Sequence, residues 1–420
     1  MHAFSDPTSV PSAGAPRAVE SSPHPSALIA RERNGSPTIG VYVHIPWCAS
    51  ICPYCDFDKQ AHDFRLVDVY VDALCRHITQ TPRRAAHSLY FGGGTPSLLT
   101  PVRLERVIEA CRVQFGDGIG REITVEANPS DVVAHKVAAY LSAGVTRLSI
   151  GIQSLDDAEL RFLGRRHSAD KAVRAVRAAR DAGCRDIGVD LMYGLPTSTV
   201  SSVQATLARA IDLGPDHISC YALTVEERTP LGEQARLGQI ALPEDDAVAD
   251  QYAAIQESLE AAGYAQYELS NWALPGHASI HNLTYWRNAE YAGIGAGAAG
   301  SFMGARYRRT PHVRDYIAAA QAGDDAYVSV EPWTVSQMMR DTVMLGLRLA
   351  EGVSNAEFED RFARSLTDYC GAGLDELLRA GLLVWTGDRL ALDPRAYFVC
   401  NAVLSRILPS TESESAAARR

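Results

Sequence analysis

Three cysteines with close, regular spacing are the residues of this chain whose types point most directly to a chemistry. Cys48, Cys52 and Cys55 form a C-x3-C-x2-C pattern within the stretch Tyr42 to Phe57, YVHIPWCASICPYCDF. Thiolates select soft metals and iron-sulfur clusters, and cysteines this close in a loop can converge on one inorganic core. The spacing therefore predicts a cluster-binding loop.

Two other interpretations of these cysteines stay open, because a structural zinc site normally has four ligands. Zinc would need a fourth ligand such as His44 or His62, and a disulfide would leave one thiol over. The apolar stretch Val41 to Ile45 predicts a strand that feeds the loop, as in an intracellular enzyme, which argues against the disulfide. A [4Fe-4S] cluster held by three cysteines leaves one iron open to a further ligand.

Composition limits the classes of partner. The chain has 420 residues, is 46% hydrophobic and carries a net charge of -10, which indicates a globular protein and argues against a nucleic-acid partner. It has neither an apolar run long enough to span a bilayer nor the layout of a signal peptide, so we expect no transmembrane segment and a cytoplasmic location. Nine cysteines, an odd number, fit a reducing compartment. We expect the six outside the cluster loop to be small buried hydrophobes.

The elements that must position the cysteines follow from alternating apolar and amphipathic segments. Helical spacing places Leu104, Val107 and Ile108 on one face of a helix that begins at Pro101. Repeated βα units predict a parallel sheet, either open and doubly wound or a partial barrel. The predicted strands are 40–46, 88–92, 122–127, 146–152, 186–192 and 217–223.

Polar residues and glycines stand where these strands end, and ligands gather at the carboxyl ends of parallel strands. The second strand runs into Phe91-Gly92-Gly93-Gly94-Thr95-Pro96-Ser97, a stretch that suits either a close approach to a ligand or a tight turn. Carboxylates can accept hydrogen bonds from ribose hydroxyls, and arginine can bind a carboxylate. The polar positions at the other strand ends are Glu126, Gln153, Arg165 and Asp190.

The cysteine motif after Y-x-H-I-P resembles the signature of radical S-adenosylmethionine (SAM) proteins. The residues within and around it resemble those of the coproporphyrinogen-oxidase-like branch. The resemblance implies a partial (β/α)6 barrel, a [4Fe-4S] cluster on Cys48, Cys52 and Cys55, and an open iron that chelates SAM. In that superfamily, reductive cleavage of SAM yields a 5'-deoxyadenosyl radical. The SAM-binding residues that the resemblance implies are Tyr42, Gly93, Gly94, Thr95, Glu126, Gln153, Arg165 and Asp190.

A second motif, H-N-x-x-Y-W, is formed by His281, Asn282, Tyr285 and Trp286. It suits either a hydrogen-bonded core histidine among packed rings or a haem-iron ligand flanked by rings that stack on the macrocycle. It resembles the motif of HemW-type haem chaperones, which implies haem binding at His281. The nearby Gly295, Gly297 and Gly300 satisfy G-x-G-x-x-G, but we see no clear apolar strand before them and reject a dinucleotide site. Members of this branch commonly have the sequence GAGAHG at these positions, and in this chain Ala299 stands where they have histidine.

The end of the chain predicts a separate small module. Helices are expected at 334–350, 354–368 and 372–380, followed by a hairpin across Gly387-Asp388 and a last helix from Pro394, as in a winged-helix domain. Residues 334–409 carry 8 Lys/Arg and 10 Asp/Glu, a charge of -2, which favours a lid or docking role over DNA binding. The predicted organisation is a disordered extension (1–37), a radical SAM barrel with its extension (38–300), a connecting segment (301–333), a winged-helix-like domain (334–409) and a disordered tail (410–420).

Two functions compete on this evidence. One is a HemW-like chaperone that binds cluster, SAM and haem and delivers haem to apo-haemoproteins such as respiratory enzymes. The other is an oxygen-independent coproporphyrinogen III dehydrogenase or another porphyrin-modifying radical SAM enzyme. The dehydrogenase typically has a further cysteine where this chain has Phe57, so we favour the chaperone and expect no dehydrogenase activity. The sequence leaves open the client, the cleavage of SAM in turnover and the formation of a homodimer.

Overall fold

Six parallel strands form the centre of the protein. The computed structural model describes residues 38–409, so the disorder expected for 1–37 and 410–420 lies outside the described residues. The six strands form five parallel pairs, each between consecutive members of the set, and all six lie where the sequence predicts them. They are β1 (Ile39–Ile45), β2 (Ala86–Gly93), β3 (Ile123–Ala127), β4 (Arg147–Gln153), β5 (Asp186–Tyr193) and β6 (His217–Ala222).

Helices connect these strands and cover one side of the sheet. Because neighbours in sequence are also neighbours in the sheet, right-handed crossovers place every connecting helix on the same face. This order decides between the two predicted architectures in favour of the partial barrel. The helices are α1 (Val67–Gln80), α2 (Pro101–Phe115), α3 (Ala134–Ser142), α4 (Asp157–Phe162), α5 (Ala169–Asp181), α6 (Val200–Ile211), α7 (Pro230–Arg236) and α8 (Asp245–Ala261).

The strands are apolar on the helix side and largely polar inside the barrel. In β4, Leu148, Ile150 and Ile152 are buried, whereas Arg147 and Ser149 line an interior cavity. The other strands follow the same period of two, with Val189 outward and Asp190 inward in β5. The hydrophobic core therefore lies between the strands and the helices, and the barrel interior is left for polar side chains.

Further strands extend the sheet at both ends. At the β6 end they are β7 (Ala265–Glu268) and β8 (Asn271–Ala273). At the β1 end they are β9 (Tyr291–Ile294), β10 (Ala299–Phe302), β11 (Ala305–Arg309) and β12 (Tyr327–Pro332), accompanied by α9 (Ile280–Trp286) and α10 (Val313–Ala322). The expectation that no strand precedes Gly295 is wrong, since β9 ends at Ile294. That strand leads into the antiparallel β10 and not into a helix.

The last part of the chain is mainly helical with a small antiparallel sheet. Its elements are α11 (Val335–Gly346), β13 (Val353–Ser354), α12 (Asn355–Phe362), α13 (Leu366–Cys370), α14 (Ala372–Arg379), β14 (Leu383–Thr386), β15 (Arg389–Leu392) and α15 (Cys400–Ile407). The hairpin at Gly387-Asp388 is confirmed. An ion pair of 2.8 Å between Arg287 and Glu351 joins this region to the end of α9.

Three helix boundaries in this region differ from the prediction. The expected helix 354–368 is two helices, because Ala363 adopts a left-handed conformation (φ 52°) and Ser365 caps a new start by accepting from the Asp368 amide. The first helix ends at Gly346, before the predicted residue 350. Residues Pro394–Val399 form a 3-10 helix, and the α-helix begins only at Cys400. Within residues 38–409, no helix is both long and apolar enough to cross a bilayer.

Candidate functional site

A cavity of about 500 Å³ opens inside the barrel and reaches the carboxyl ends of the strands. Every site residue predicted from the sequence lines it, although they come from five of the six central strands, several loops and α9. The structure therefore brings the whole predicted set to one place. These residues are Tyr42, Cys48, Cys52, Cys55, Gly93, Gly94, Thr95, Glu126, Gln153, Arg165, Asp190 and His281.

The cysteine loop follows β1 and is fixed at its base. The two-residue strand Trp47–Cys48 pairs in parallel with Gln60–Ala61, which closes the loop on itself. The imidazole of His44 bonds the Asp58 carbonyl through Nε2 (2.8 Å) and the Tyr42 hydroxyl through Nδ1 (3.0 Å). Both ring nitrogens of His44 are thus engaged, and the residue acts as a brace for the loop. It does not offer a fourth metal ligand.

The three thiols suit a cluster of several irons better than a single zinc ion. All three are free and partly buried, and burial raises the pKa of Cys48 and of Cys55. Hydrogen-bond donors face two of them, since Thr95 Oγ1 lies 3.5 Å from the Cys48 sulfur and Arg165 Nη1 lies 3.6 Å from the Cys52 sulfur. Sulfurs on one tetrahedral zinc lie roughly 3.8 Å apart, from Zn–S bonds of about 2.3 Å. Within residues 38–409, the one set of three His, Cys or carboxylate ligand atoms that lie within 4.8 Å of one another is Asp186, Asp216 and His277. The three cysteine sulfurs are therefore farther apart than ligands of one zinc ion.

The glycine stretch at the end of β2 packs tightly against the cysteine loop. A β-carbon on Gly94 would lie 2.7 Å from the Trp47 carbonyl oxygen, and one on Gly93 would overlap the His44 ring. The Gly94 amide donates to the Ile45 carbonyl at 2.8 Å, and the Gly93 amide donates to Glu126 at 3.2 Å. The missing side chains therefore let this loop seat the cysteine loop closely.

Two carboxyl groups face the cavity from β3 and β5. Glu126 accepts hydrogen bonds from the Tyr90 hydroxyl (2.8 Å) and the Gly93 amide, and Asp190 accepts from Ser219 (2.8 Å) and Ser149 (3.2 Å). Removal from bulk water raises the pKa of Glu126 to about 7, with a further contribution from Asp190, and it also raises the pKa of Asp190. Such a pair favours a cationic or hydroxyl-bearing ligand, since a cation would restore both charges.

Arg165 supplies the opposite charge at the same cavity. Its Nη2 donates to the Gly151 carbonyl at 2.7 Å, while its buried Nε has no hydrogen-bond partner among residues 38–409. A buried unsatisfied guanidinium nitrogen is uncommon and can bind a ligand carboxylate. Gln153 lies beside it in a left-handed conformation (φ 64°), where the pairing of β4 with β5 shifts register. A ligand with an ammonium group, a carboxylate and hydroxyls, such as SAM, fits these donors and acceptors.

His281 lies at the inner wall of the cavity and is only 1% exposed. One ring nitrogen bonds the Ser88 hydroxyl at 2.9 Å and the other bonds the Tyr285 hydroxyl at 2.7 Å. The ring also stacks on Tyr90, with centroids 5.1 Å apart. Burial lowers its pKa to about 3, so the ring is neutral. Both nitrogens are occupied, and the geometry does not fit an iron ligand at this position.

The helix that carries His281 is held by a buried carboxylate. Glu122, just before β3, accepts from the amides of Ile280 (2.7 Å) and His281 (2.8 Å) and from the Ser279 hydroxyl (3.1 Å). A negative charge at these unpaired amides is the arrangement that stabilises a helix start. Three residues of the H-N-x-x-Y-W motif, His281, Asn282 and Tyr285, therefore line the cavity.

Several cavity residues were missed by the sequence analysis. They alternate with apolar residues along the strands, so the period of two was the signal that could have identified them. Two of them, His217 and Tyr267, are bonded to each other through Nε2 and the hydroxyl (2.9 Å), and Arg147 forms an ion pair with Asp186 outside the cavity lining (2.9 Å). The missed residues include Tyr90, Arg147, Ser149, His217, Ser219, Tyr221, Tyr267 and Asn271.

Comparison with known proteins identifies the family of this chain. Residues 42–210 match the radical SAM superfamily, and residues 334–399 match the HemN C-terminal domain. A protein of Lactococcus lactis subsp. lactis (strain IL1403) named heme chaperone HemW is 34% identical over 367 residues, which cover 87% of this chain and 96% of that relative. This chain belongs to the HemW family. The HemW protein of Escherichia coli (strain K12) is also 34% identical, over 89% of this chain and 98% of its own length.

A solved structure confirms the fold expected for a HemW-family protein. Coproporphyrinogen III oxidase (HemN) from Escherichia coli, described as a radical SAM enzyme, matches with a TM-score of 0.75 at 21% identity. The match covers 93% of this chain and 95% of that one. The predicted α/β fold with a mainly helical C-terminal domain is confirmed, and membership of the superfamily implies a [4Fe-4S] cluster and SAM.

Proposed function

We propose that this protein is a haem chaperone that binds a [4Fe-4S] cluster, SAM and haem and delivers haem to apo-haemoproteins such as respiratory enzymes. The observation that carries the proposal is the 34% identity to two proteins named heme chaperone HemW over nearly their whole length. The cavity with its three thiols supports the cofactor part. A cytoplasmic location belongs to the proposal, because nine free cysteines fit a reducing compartment.

The cavity residues divide the cofactor binding between them. Cys48, Cys52 and Cys55 hold the cluster, which supplies single electrons when bound. The unpartnered Nε of Arg165 binds the SAM carboxylate, and Glu126 and Asp190 bind its cationic and hydroxyl groups. The remaining members of the SAM site are Tyr42, Gly93, Gly94, Thr95 and Gln153.

The second candidate, a coproporphyrinogen III dehydrogenase, is favoured by the complete set of cofactor residues around one cavity. Against it stands Phe57, which occupies the position where the dehydrogenase typically has a further cysteine. The Phe57 side chain is 65% exposed at the cavity mouth. We therefore rank the dehydrogenase second.

One experiment separates the two candidates. The protein is reconstituted anaerobically with iron and sulfide, titrated with haem, and assayed with coproporphyrinogen III, SAM and a reductant. We expect haem binding without decarboxylation, and transfer of haem to an apo-haemoprotein followed by the client's absorbance. Conversion of coproporphyrinogen III with a matching yield of 5'-deoxyadenosine would assign the dehydrogenase function instead.

A further inference from the structure

Both ring nitrogens of His281 are hydrogen-bonded inside the barrel, so neither is free to bind haem iron. An iron at His281 would have to displace Ser88 or Tyr285 and enter a site that is 1% exposed. A ligand for the iron should instead be sought among histidines with an accessible nitrogen.

His62 meets that requirement. It is partly exposed and directly follows the short strand Gln60–Ala61, and its amide donates to the Cys48 carbonyl at 3.1 Å. Its ring is held edge-on between two aromatic rings, with centroids 4.2 Å from Phe64 and 6.0 Å from Trp47. Neither ring nitrogen makes a hydrogen bond within the described chain. The imidazole is thus oriented by packing while both nitrogens stay available.

Three large apolar side chains between residues 51 and 64 are exposed to solvent. Phe64 is 78% exposed, Phe57 is 65% exposed and Ile51 is 50% exposed. Exposed aromatic side chains close together in one loop mark a surface that is covered in the functional complex. A porphyrin is a flat apolar ring, and contact with it would remove these side chains from water.

Positive charge is available beside this loop for the acidic groups of haem. Arg65 is 85% exposed and paired with Asp63 at 2.9 Å. The exposed Arg314, on α10, acts electrostatically on Asp63 and has no ion pair or hydrogen bond to any residue between 38 and 409. An unpaired guanidinium next to an apolar surface is the arrangement that binds a propionate.

We propose that the haem of this protein binds on the outer surface of the cysteine loop, with His62 as an axial ligand of the iron, Phe64 against the macrocycle and Arg314 at a propionate. The inference rests on the proposed chaperone function. It places haem on the surface, where a client can take it up, while His281 keeps a structural role within the barrel.

The test is a haem titration of the reconstituted protein with His62→Ala, compared with wild type and with His135→Ala. His135 is exposed on α3, away from the cysteine loop in sequence, and serves as the matched control. Changing even a group that only supports a metal ligand costs roughly 10- to 100-fold in metal affinity. We therefore expect His62→Ala to weaken haem binding at least about tenfold and to abolish the absorbance and electron paramagnetic resonance signature of an imidazole-ligated iron, and we expect added imidazole to restore that signature.

Measuring iron and sulfide content and the thermal unfolding midpoint distinguishes loss of a haem ligand from loss of the cluster or of the fold. Wild-type cluster content and midpoint in His62→Ala, together with loss of the imidazole signature, would establish the ligand. Unchanged haem affinity and spectrum in His62→Ala would overturn the assignment but leave the chaperone function standing. Failure of the wild-type protein to bind haem would refute the proposed function itself.

Discussion

Glu126 provides a quantitative test of the cavity's electrostatics. Its pKa is raised from an ordinary value of 4.5 to about 7. Because the folded state holds this proton more tightly than the unfolded state, the carboxyl group is increasingly unfavourable to folding as the pH rises from about 4.5 to 7. The full shift corresponds to about 3 kcal/mol, and about 1 kcal/mol of that is already present at pH 5.5.

The perturbation is Glu126→Gln in the cluster-free protein, since glutamine keeps the shape and cannot ionise. Glu126 is partly accessible from the cavity, and water there reduces the cost. We expect the free energy of unfolding of the variant, relative to wild type, to rise by about 1–2 kcal/mol between roughly pH 5.5 and pH 8. Urea denaturation at the two pH values measures this difference. The other titrating groups are the same in both proteins, so their contributions cancel when the two free energies of unfolding are subtracted.

The control for this measurement is Glu105→Gln, an exposed position on α2. The difference between Glu126→Gln and wild type should change with pH more than the difference between Glu105→Gln and wild type. A constant difference for Glu126→Gln, or one that falls with pH, would refute the argument that enclosure raises the pKa of this carboxyl group.

The packing of Gly94, the carboxylate of Glu122 and the thiol of Cys52 can each be tested by a substitution. Gly94→Ala should cost about 1–3 kcal/mol of stability by overpacking against the Trp47 carbonyl, and should lower the iron bound on reconstitution; wild-type values of both would contradict the close packing. Glu122→Gln should destabilise the protein by about 1.5–3 kcal/mol in urea, because glutamine has one acceptor oxygen and its NH2 group would face at least one of the three donors; an unchanged free energy of unfolding would contradict the role of Glu122 in holding the helix. Cys52→Ser should abolish the cluster absorbance that Cys75→Ser retains, and equal loss in both would argue against the assigned ligands.

The fold could be predicted from the sequence wherever the signal was local. Each central strand was an apolar run with turn residues after it, and these runs determined all six positions. The choice between a doubly wound sheet and a partial barrel depends on which strands become neighbours in the sheet. Local sequence patterns do not predict that order. The break at Ala363 was missed for a similar reason, since alanine favours helices and only its tertiary surroundings place it in a left-handed conformation.

The site could be predicted as a set but not in its internal bonding. Spacing identified the cysteines, and position at strand ends identified the acids and Arg165. The state of His281 depends on Ser88, which lies 193 positions away in the chain. The same motif therefore predicted two different roles for His281, and the hydrogen bonds of its two nitrogens are contacts that no local sequence pattern shows.

The division of each central strand into an apolar outer face and a polar inner face has an evolutionary consequence. Substitutions such as those at Ser149 or Ser219 change what the cavity holds without disturbing the packing of Leu148 or Ile218 against the helices. Selection for a new ligand and selection for folding thus act on alternate residues of the same strand. A barrel of this kind can keep its fold while its sequence diverges, as the TM-score of 0.75 at 21% identity illustrates.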